Sequence, residues 1–199
     1  MTKKKLTIPE KLRNRNQWVV WKYGQPKDNG KTLKIPIDPK TGELAIIDDR
    51  RTWGSFKIAI KAFVNSNLNG VGFVFSKDDE FCGIVLNNCR NKKTGEIEKW
   101  ACKIIKDVGS YTEASTSGTG VKIIAEGKLP GPSKRNGKIE MYDHHRYFSI
   151  SGQYLGRAPK KLRKKSNTIK IIYNIFFKEG GINADNHSSH CPQETTIRI

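Results

Sequence analysis

A chain of 199 residues with 36% hydrophobic residues is long enough to bury a core, and 37 Lys and Arg against 19 Asp and Glu give it a net charge of +18. A charge excess of this size attracts polyanions, so we expect a nucleic-acid partner and an affinity that falls steeply with salt; a basic, ribosome-like protein is the alternative. No apolar run approaches the roughly 20 residues that span a bilayer, so composition excludes an integral membrane protein. We expect no membrane partner, and a cytoplasmic location with reduced cysteines.

The first half of the chain predicts two hairpins separated by a helix. Residues 17–23 and 32–37 are rich in β-branched and aromatic side chains and flank a turn of Gly, Pro, Asp and Asn, which is typical of a hairpin. Thr52 is the expected N-cap of a helix with one apolar stripe. The apolar runs 71–75 and 81–86 flank a polar turn, and they predict the second hairpin.

The second half predicts two more helices and four more strands. The helices cover residues 96–108 and 168–178, and the strands cover residues 110–114, 121–126, 138–142 and 147–151. Helices interspersed with pairs of strands predict an α/β or α+β domain rather than a helical bundle. We place this domain over residues 1–156 and expect a basic linker, a short helix and a flexible tail over residues 157–199.

The segment after Gly156 is strongly basic. Residues 157–170 contain no Asp or Glu. Clustered cations of this kind are typical of a surface that contacts the phosphate backbone. The candidate nucleic-acid-binding residues are Arg157, Lys160, Lys161, Arg163, Lys164 and Lys165.

One predicted strand has two positions of particular interest. Side chains alternate along a strand, so Gly83, Val85 and Asn87 share a face. Enzymes that transfer phosphoryl groups with two metal ions often place two carboxylates at such a spacing. Here valine cannot ligate a metal, and asparagine offers only a neutral carbonyl.

Seven short motifs, in a fixed order, resemble the prim-pol branch of the archaeo-eukaryotic primase superfamily, the N-terminal domain of many phage and plasmid primase-helicases. They are residues 17–21, 52–56, 70–75, 83–89, 110–113, 117–121 and 139–152. The resemblance covers about residues 9–155. It implies a prim-pol fold, in which an α/β module packs with an RRM-like sheet module.

The resemblance also implies a degenerate metal site. The family segment that matches residues 83–89 usually reads Gly-Ile-Asp-Leu-Asp-x-Cys, and its two aspartates bind the catalytic metals. This chain has Val85 and Asn87 at those two places. Glu140 matches the third acidic position of the family, so it is the remaining candidate metal ligand. An active relative would use Mg²⁺ or Mn²⁺.

A nucleotide pocket is the second implication of the resemblance. The family has a Ser-Gly-Thr-Gly loop that leads to a basic residue in contact with the phosphates of a nucleoside triphosphate, and glycine lets backbone N–H groups approach phosphate oxygens. Lys122 takes the basic position, Arg146 matches a second basic position, and Tyr142 shares a strand face with Glu140. The candidate nucleotide-binding residues are Ser117, Gly118, Thr119, Gly120, Lys122, Tyr142 and Arg146.

The resemblance therefore implies a replication protein of a mobile element that binds single-stranded or primer-template DNA and a nucleotide, with weak or absent polymerase activity. Two alternatives stay open. One is an active template-dependent DNA primase-polymerase. The other is a non-catalytic adaptor for a replicative helicase, which would be a separate partner because the sequence has no helicase domain of its own.

Overall fold

A computed structural model of the chain describes residues 7–26, 28, 32–156 and 158–177. Within these residues there are nine strands and four α-helices. The strands are β1 (Trp18–Pro26), β2 (Thr32–Ile37), β3 (Gly70–Phe75), β4 (Phe81–Leu86), β5 (Tyr111–Ala114), β6 (Val121–Glu126), β7 (Lys134–Arg135), β8 (Ile139–Tyr142) and β9 (Arg146–Ile150). The helices are α1 (Glu10–Arg13), α2 (Phe56–Asn65), α3 (Lys99–Val108) and α4 (Ser166–Phe177).

The strands form two antiparallel sheets. Sheet A has the order β2-β1-β3-β9, and sheet B has the order β5-β6-β4-β8-β7. The predicted hairpin of β1 and β2 is confirmed, with Val20 opposite Ile37 and Tyr23 opposite Lys34. The mixed α+β class is confirmed as well, and the two-sheet arrangement is consistent with a primase-polymerase-like fold.

The second predicted hairpin is wrong, because β3 and β4 belong to different sheets. β3 pairs with β1 and β9, whereas β4 pairs with β6 and β8. Asp79 organises the turn between them by accepting hydrogen bonds from the backbone N–H groups of Ser76 (2.9 Å) and Phe81 (2.8 Å) and from Nε2 of Gln17 (2.6 Å). These contacts hold the turn against the start of β1, so the chain leaves sheet A and enters sheet B.

The N-cap predicted for the first long helix is also wrong. α2 begins at Phe56, and Oγ of Ser55 accepts a hydrogen bond from the backbone N–H of Ile58 at 3.3 Å. Thr52 instead ends a short 3₁₀ turn, and its hydroxyl donates to the backbone oxygen of Ile46 at 2.9 Å. The Thr52 hydroxyl therefore bonds to the preceding loop and does not cap the helix.

Sheet B separates two apolar clusters. On one face, Ile84 and Leu86 pack with residues of α3 and α4. The other face is directed toward sheet A, where Phe75 and Phe148 lie over Gly83. A Cβ at Gly83 would lie 2.5 Å from the Phe148 ring and 2.7 Å from the Phe75 ring. Glycine therefore permits the close approach of the two sheets at this point.

The chain crosses between the sheets a second time, from β8 to β9. One side chain joins this crossing to the first. Nζ of Lys128 donates to the backbone oxygen of Ser76 at 2.8 Å and to that of Asp143 at 3.2 Å, and it lies 3.4 Å from Oδ1 of Asp79. Both crossings are thus fastened by the same ammonium group.

Helix α4 closes the outer face of sheet B. Its residues Ile169, Ile172 and Tyr173 are buried in the cluster on that face. The tail predicted after this helix lies outside the described residues. No helix in the part of the chain that the structure describes is long and apolar enough to cross a membrane.

Candidate functional site

Five side chains form a row across the face of sheet B that is directed toward sheet A. Val85 of β4 is paired with Lys122 of β6 on one side and with Glu140 of β8 on the other. The row continues to Glu113 of β5 and Arg135 of β7. Directly paired residues of an antiparallel sheet place their side chains on the same face. The fold therefore brings together three of the residues that the sequence singled out.

Glu140 is held by donors from its own chain. Nδ2 of Asn87 donates to Oε1 of Glu140 at 3.0 Å, and the hydroxyl of Tyr142 donates to Oε2 at 2.6 Å. The guanidinium of Arg146 lies 3.9 Å from Oε2 and 4.8 Å from the centre of the Tyr142 ring. Burial acts to raise the pKa of Glu140, but the two hydrogen bonds and the charge of Arg146 outweigh it and hold the pKa below its ordinary value.

Lys122 is buried between the two sheets. Its ammonium donates to the backbone oxygen and to Oγ of Ser149, both at 2.7 Å, and it lies 5.3 Å from the centre of the Phe148 ring. Ser149 belongs to β9, an edge strand of sheet A. Burial lowers the pKa of Lys122 to about 7, against the opposing charge of Glu113.

Glu113 lies beside Lys122 and is fully buried. Its carboxylate accepts hydrogen bonds from the backbone N–H groups of Ser151 (2.9 Å) and Gly152 (3.0 Å) and from the hydroxyl of Tyr111 (2.9 Å). Burial raises the pKa of Glu113, while Lys122 and these donors act to lower it. The carboxylate thus joins β5 to the end of β9, and its oxygens are engaged within the protein.

Lys34 is a site residue that the sequence did not identify. Its ammonium hydrogen-bonds Oγ1 of Thr116 and, at 3.2 Å, Oγ of Ser149, so it shares the Ser149 hydroxyl with Lys122. It lies 4.7 Å from the centre of the Trp21 ring. Burial lowers the pKa of Lys34. The sequence signal that could have identified Lys34 is its position as a single lysine in the largely apolar strand β2.

The Gly-rich loop between β5 and β6 is folded upon itself. Gly118 has a φ of +82°, which favours glycine. The N–H of Gly118 donates to the backbone oxygen of Ser115 at 2.9 Å, and that of Gly120 donates to Oγ of Ser115 at 3.1 Å. A Cβ at Gly120 would lie 2.6 Å from the backbone oxygen of Leu86. The N–H groups of both glycines are therefore engaged in this structure, and the loop is seated against the end of β4. That this loop binds phosphates stays a prediction.

The residues present do not fit a two-metal site. Among the described residues, no group of three or more His, Cys, Asp or Glu side chains could hold a metal ion. Mg²⁺ and Mn²⁺ prefer several oxygen ligands, carboxylates above all. Of positions 85, 87 and 140, only position 140 has a carboxylate. The oxygens of Glu140 already accept hydrogen bonds from Asn87 and Tyr142.

The described part of the basic segment packs beside β5 and β6 of sheet B. Lys160, Lys161, Arg163 and Lys164 are exposed and Lys165 is half-buried, while Arg157 lies outside the described residues. The backbone N–H of Glu126 donates to the oxygen of Arg163 at 2.9 Å, and that of Lys165 donates to the oxygen of Glu126 at 2.7 Å. Glu126 ends β6, whereas the Gly-rich loop precedes Val121 at its start, about 17 Å away at the ordinary rise of a strand. Residues 163–165 therefore lie at the end of β6 away from the Gly-rich loop, whereas Nζ of Lys160 lies 5.8 Å from the ring centre of Tyr154, which pairs with Glu113 of the row.

A comparison with known proteins shows a similarity to a phage protein. No protein-family model matches the chain. A DNA primase-polymerase of Nitratiruptor phage NrS-1 is 34% identical over 143 residues, which is 69% of this chain and 19% of the phage protein. The matched part of the chain thus spans about a fifth of that relative's length. This part of the chain is therefore similar to a primase-polymerase, and the two-sheet α+β architecture is consistent with that similarity.

Proposed function

We propose that the chain is a primase-polymerase-like replication protein of a mobile element that binds DNA and a nucleotide and is catalytically degenerate. The similarity to the phage DNA primase-polymerase supports the replication role. The observation that carries the loss of catalysis is the environment of Glu140. Its strand partner is Val85, and the amide of Asn87, the residue that follows β4, donates to its carboxylate.

The physical reason is the loss of charge where the metals of an active relative would be held. Phosphoryl transfer depends on positioning and on metal ions that neutralise the charge developing on the transferred group. Val85 offers no ligand, and Asn87 offers a neutral amide whose nitrogen donates to Glu140. One carboxylate that is already hydrogen-bonded is a poor ligand set for two divalent ions, so little of this stabilisation would be available.

Primer extension tests the proposal. With a primed template, nucleoside triphosphates and Mg²⁺ or Mn²⁺, we expect the protein to extend primers no faster than its Glu140→Ala variant, which sets the background. The reason is that neither protein holds the metals that transfer needs. Extension at the rate of an active polymerase, abolished by Glu140→Ala, would instead establish the alternative of an active primase-polymerase.

DNA binding is tested through its salt dependence. We expect the replacement of Lys160, Lys161, Lys164 and Lys165 by alanine to weaken binding of single-stranded DNA for all sequences alike. The slope of log K against log salt should fall by roughly 0.7 for each phosphate contact that is lost. Fluorescence anisotropy between low and moderate salt measures both quantities.

A matched variant removes the same charge from another surface. Lys57, Lys61, Lys99 and Lys106 are exposed on α2 and α3. Their replacement by alanine should leave the slope nearly unchanged if the basic segment is the DNA-binding surface. Equal losses in the two quadruple variants, or binding that does not respond to salt, would contradict this assignment.

A further inference from the structure

Two ammonium groups converge on one hydroxyl at the edge of sheet A. Oγ of Ser149 lies 2.7 Å from Nζ of Lys122 and 3.2 Å from Nζ of Lys34. Lys122 is buried and Lys34 is half-buried, so both ammonium groups are at least partly desolvated. Like charges that are desolvated together destabilise each other unless an anion lies nearby. The arrangement therefore favours a bound anion.

The two carboxylates of the site, Glu113 and Glu140, neutralise the charge of the ammonium groups only in part. Glu113 directs its oxygens to two backbone N–H groups and the hydroxyl of Tyr111. Glu140 directs its oxygens to Asn87 and Tyr142, and Arg146 reaches it only at 3.9 Å. Arg146 is exposed, so its guanidinium is accessible to a ligand.

The charges around Lys122 lead to the same conclusion. The groups that act on it are Glu113, Lys34, Arg146 and Glu140. We call these four groups and Lys122 the cluster. With Lys122 protonated, it holds three positive charges (Lys34, Lys122 and Arg146) and two negative charges (Glu113 and Glu140), a net charge of +1. Aspartates at positions 85 and 87 would change this to −1, and a polyphosphate would then require a divalent cation to bind. The residues that are present add two units of positive charge relative to that arrangement, which equals the charge of one such cation.

We propose that this cluster binds a polyphosphate chain without a divalent metal, with Lys34, Lys122 and Arg146 as the anion-binding residues. The proposal rests on the proposed function, in which a nucleotide is bound, and it adds the metal independence of that binding and the participation of Lys34. Phosphate oxygens would accept the donors that Lys34 and Lys122 now share with the Ser149 hydroxyl. Arg146 would contribute its planar pair of donors from the exposed side.

Calorimetric titration with inorganic tripolyphosphate in the presence of EDTA tests the proposal. We expect saturable binding in EDTA that is not strengthened by Mg²⁺, because the positive charge is supplied by the protein. Replacing Lys34 by methionine, which keeps the apolar length against Trp21, should weaken binding at least tenfold. Arg146→Met should also weaken it, and because Arg146 is exposed this variant should fold normally. Binding that appears only with Mg²⁺ or Mn²⁺ would overturn the proposal.

Two further arms separate the possible outcomes. Lys22→Met removes an exposed lysine from the neighbouring strand β1. An equal loss of affinity in this variant would mean that the overall charge of the protein binds the anion, which overturns the assignment to the cluster.

A parallel titration with a nucleoside triphosphate addresses the source of the phosphates. If the nucleotide binds only with metal, metal independence fails and nucleotide binding stands; if neither ligand binds under any condition, the nucleotide part of the proposed function fails as well.

Discussion

Replacing Val85 and Asn87 by aspartate together is expected to make the stability of the folded protein depend on a divalent cation. The change at position 87 removes the amide that donates to Glu140 at 3.0 Å and puts a second carboxylate in its place. The change at position 85 adds a carboxylate between Lys122 and Glu140. Like charges this close destabilise the metal-free protein. A free metal concentration of 100 times the Kd would stabilise the folded state by about 2.7 kcal/mol.

Thermal unfolding with and without Mn²⁺ measures this effect. We expect the double variant to unfold at a lower temperature than the parent protein in EDTA and to be stabilised by Mn²⁺, with a gain in primer extension. Val85→Asn is the matched control, because it places neutral amides at both positions. If the double variant neither responds to Mn²⁺ nor gains extension, this pocket is not a degenerate polymerase site.

Gly83→Ala is expected to cause a large loss of stability. The added Cβ would lie 2.5 Å from Phe148 and 2.7 Å from Phe75, and these two rings contact each other edge to face with centroids 4.8 Å apart. Both rings are almost completely buried, so neither can move aside without disturbing the contact between the sheets. We expect a decrease of about 3 kcal/mol in the free energy of unfolding, as for other overpacked cores.

Urea denaturation checks this value through the midpoint of the transition. Gly156→Ala is a suitable control, because a Cβ at Gly156 would have no neighbour within 4 Å. The control should unfold at nearly the same urea concentration as the parent. A similar midpoint for Gly83→Ala would mean that the sheets are not closely packed at this point.

The strands could be predicted well from the sequence because their signals are local. β2 and β6 have the predicted bounds, Thr32–Ile37 and Val121–Glu126, since apolar alternation and flanking turn residues mark both ends. The pairing of β3 with β4 was predicted wrongly because their pattern does not encode the sheet to which each strand belongs. That choice depends on Asp79 and its contact with Gln17, 62 residues away in sequence.

The site could be predicted only in part, for a similar reason. Val85, Lys122 and Glu140 were expected to lie together on the resemblance to prim-pol proteins, and the sheet register places them in one row. Lys34 meets Ser149 across 115 residues of sequence, through two strands of sheet A that are not adjacent. No local pattern reports such a contact. The roles of these residues in binding stay predictions.

The position of Lys128 has a consequence for how the molecule opens. Its ammonium contacts the turn that leads from β3 to β4 and the turn that leads from β8 to β9. Either turn loses its contact with Lys128 when it detaches, and Lys128 also holds the other turn. Local opening at one crossing therefore weakens the second. Amide protons of β3, β4, β8 and β9 should therefore exchange with solvent through one shared opening, as a single cooperative unit of the fold.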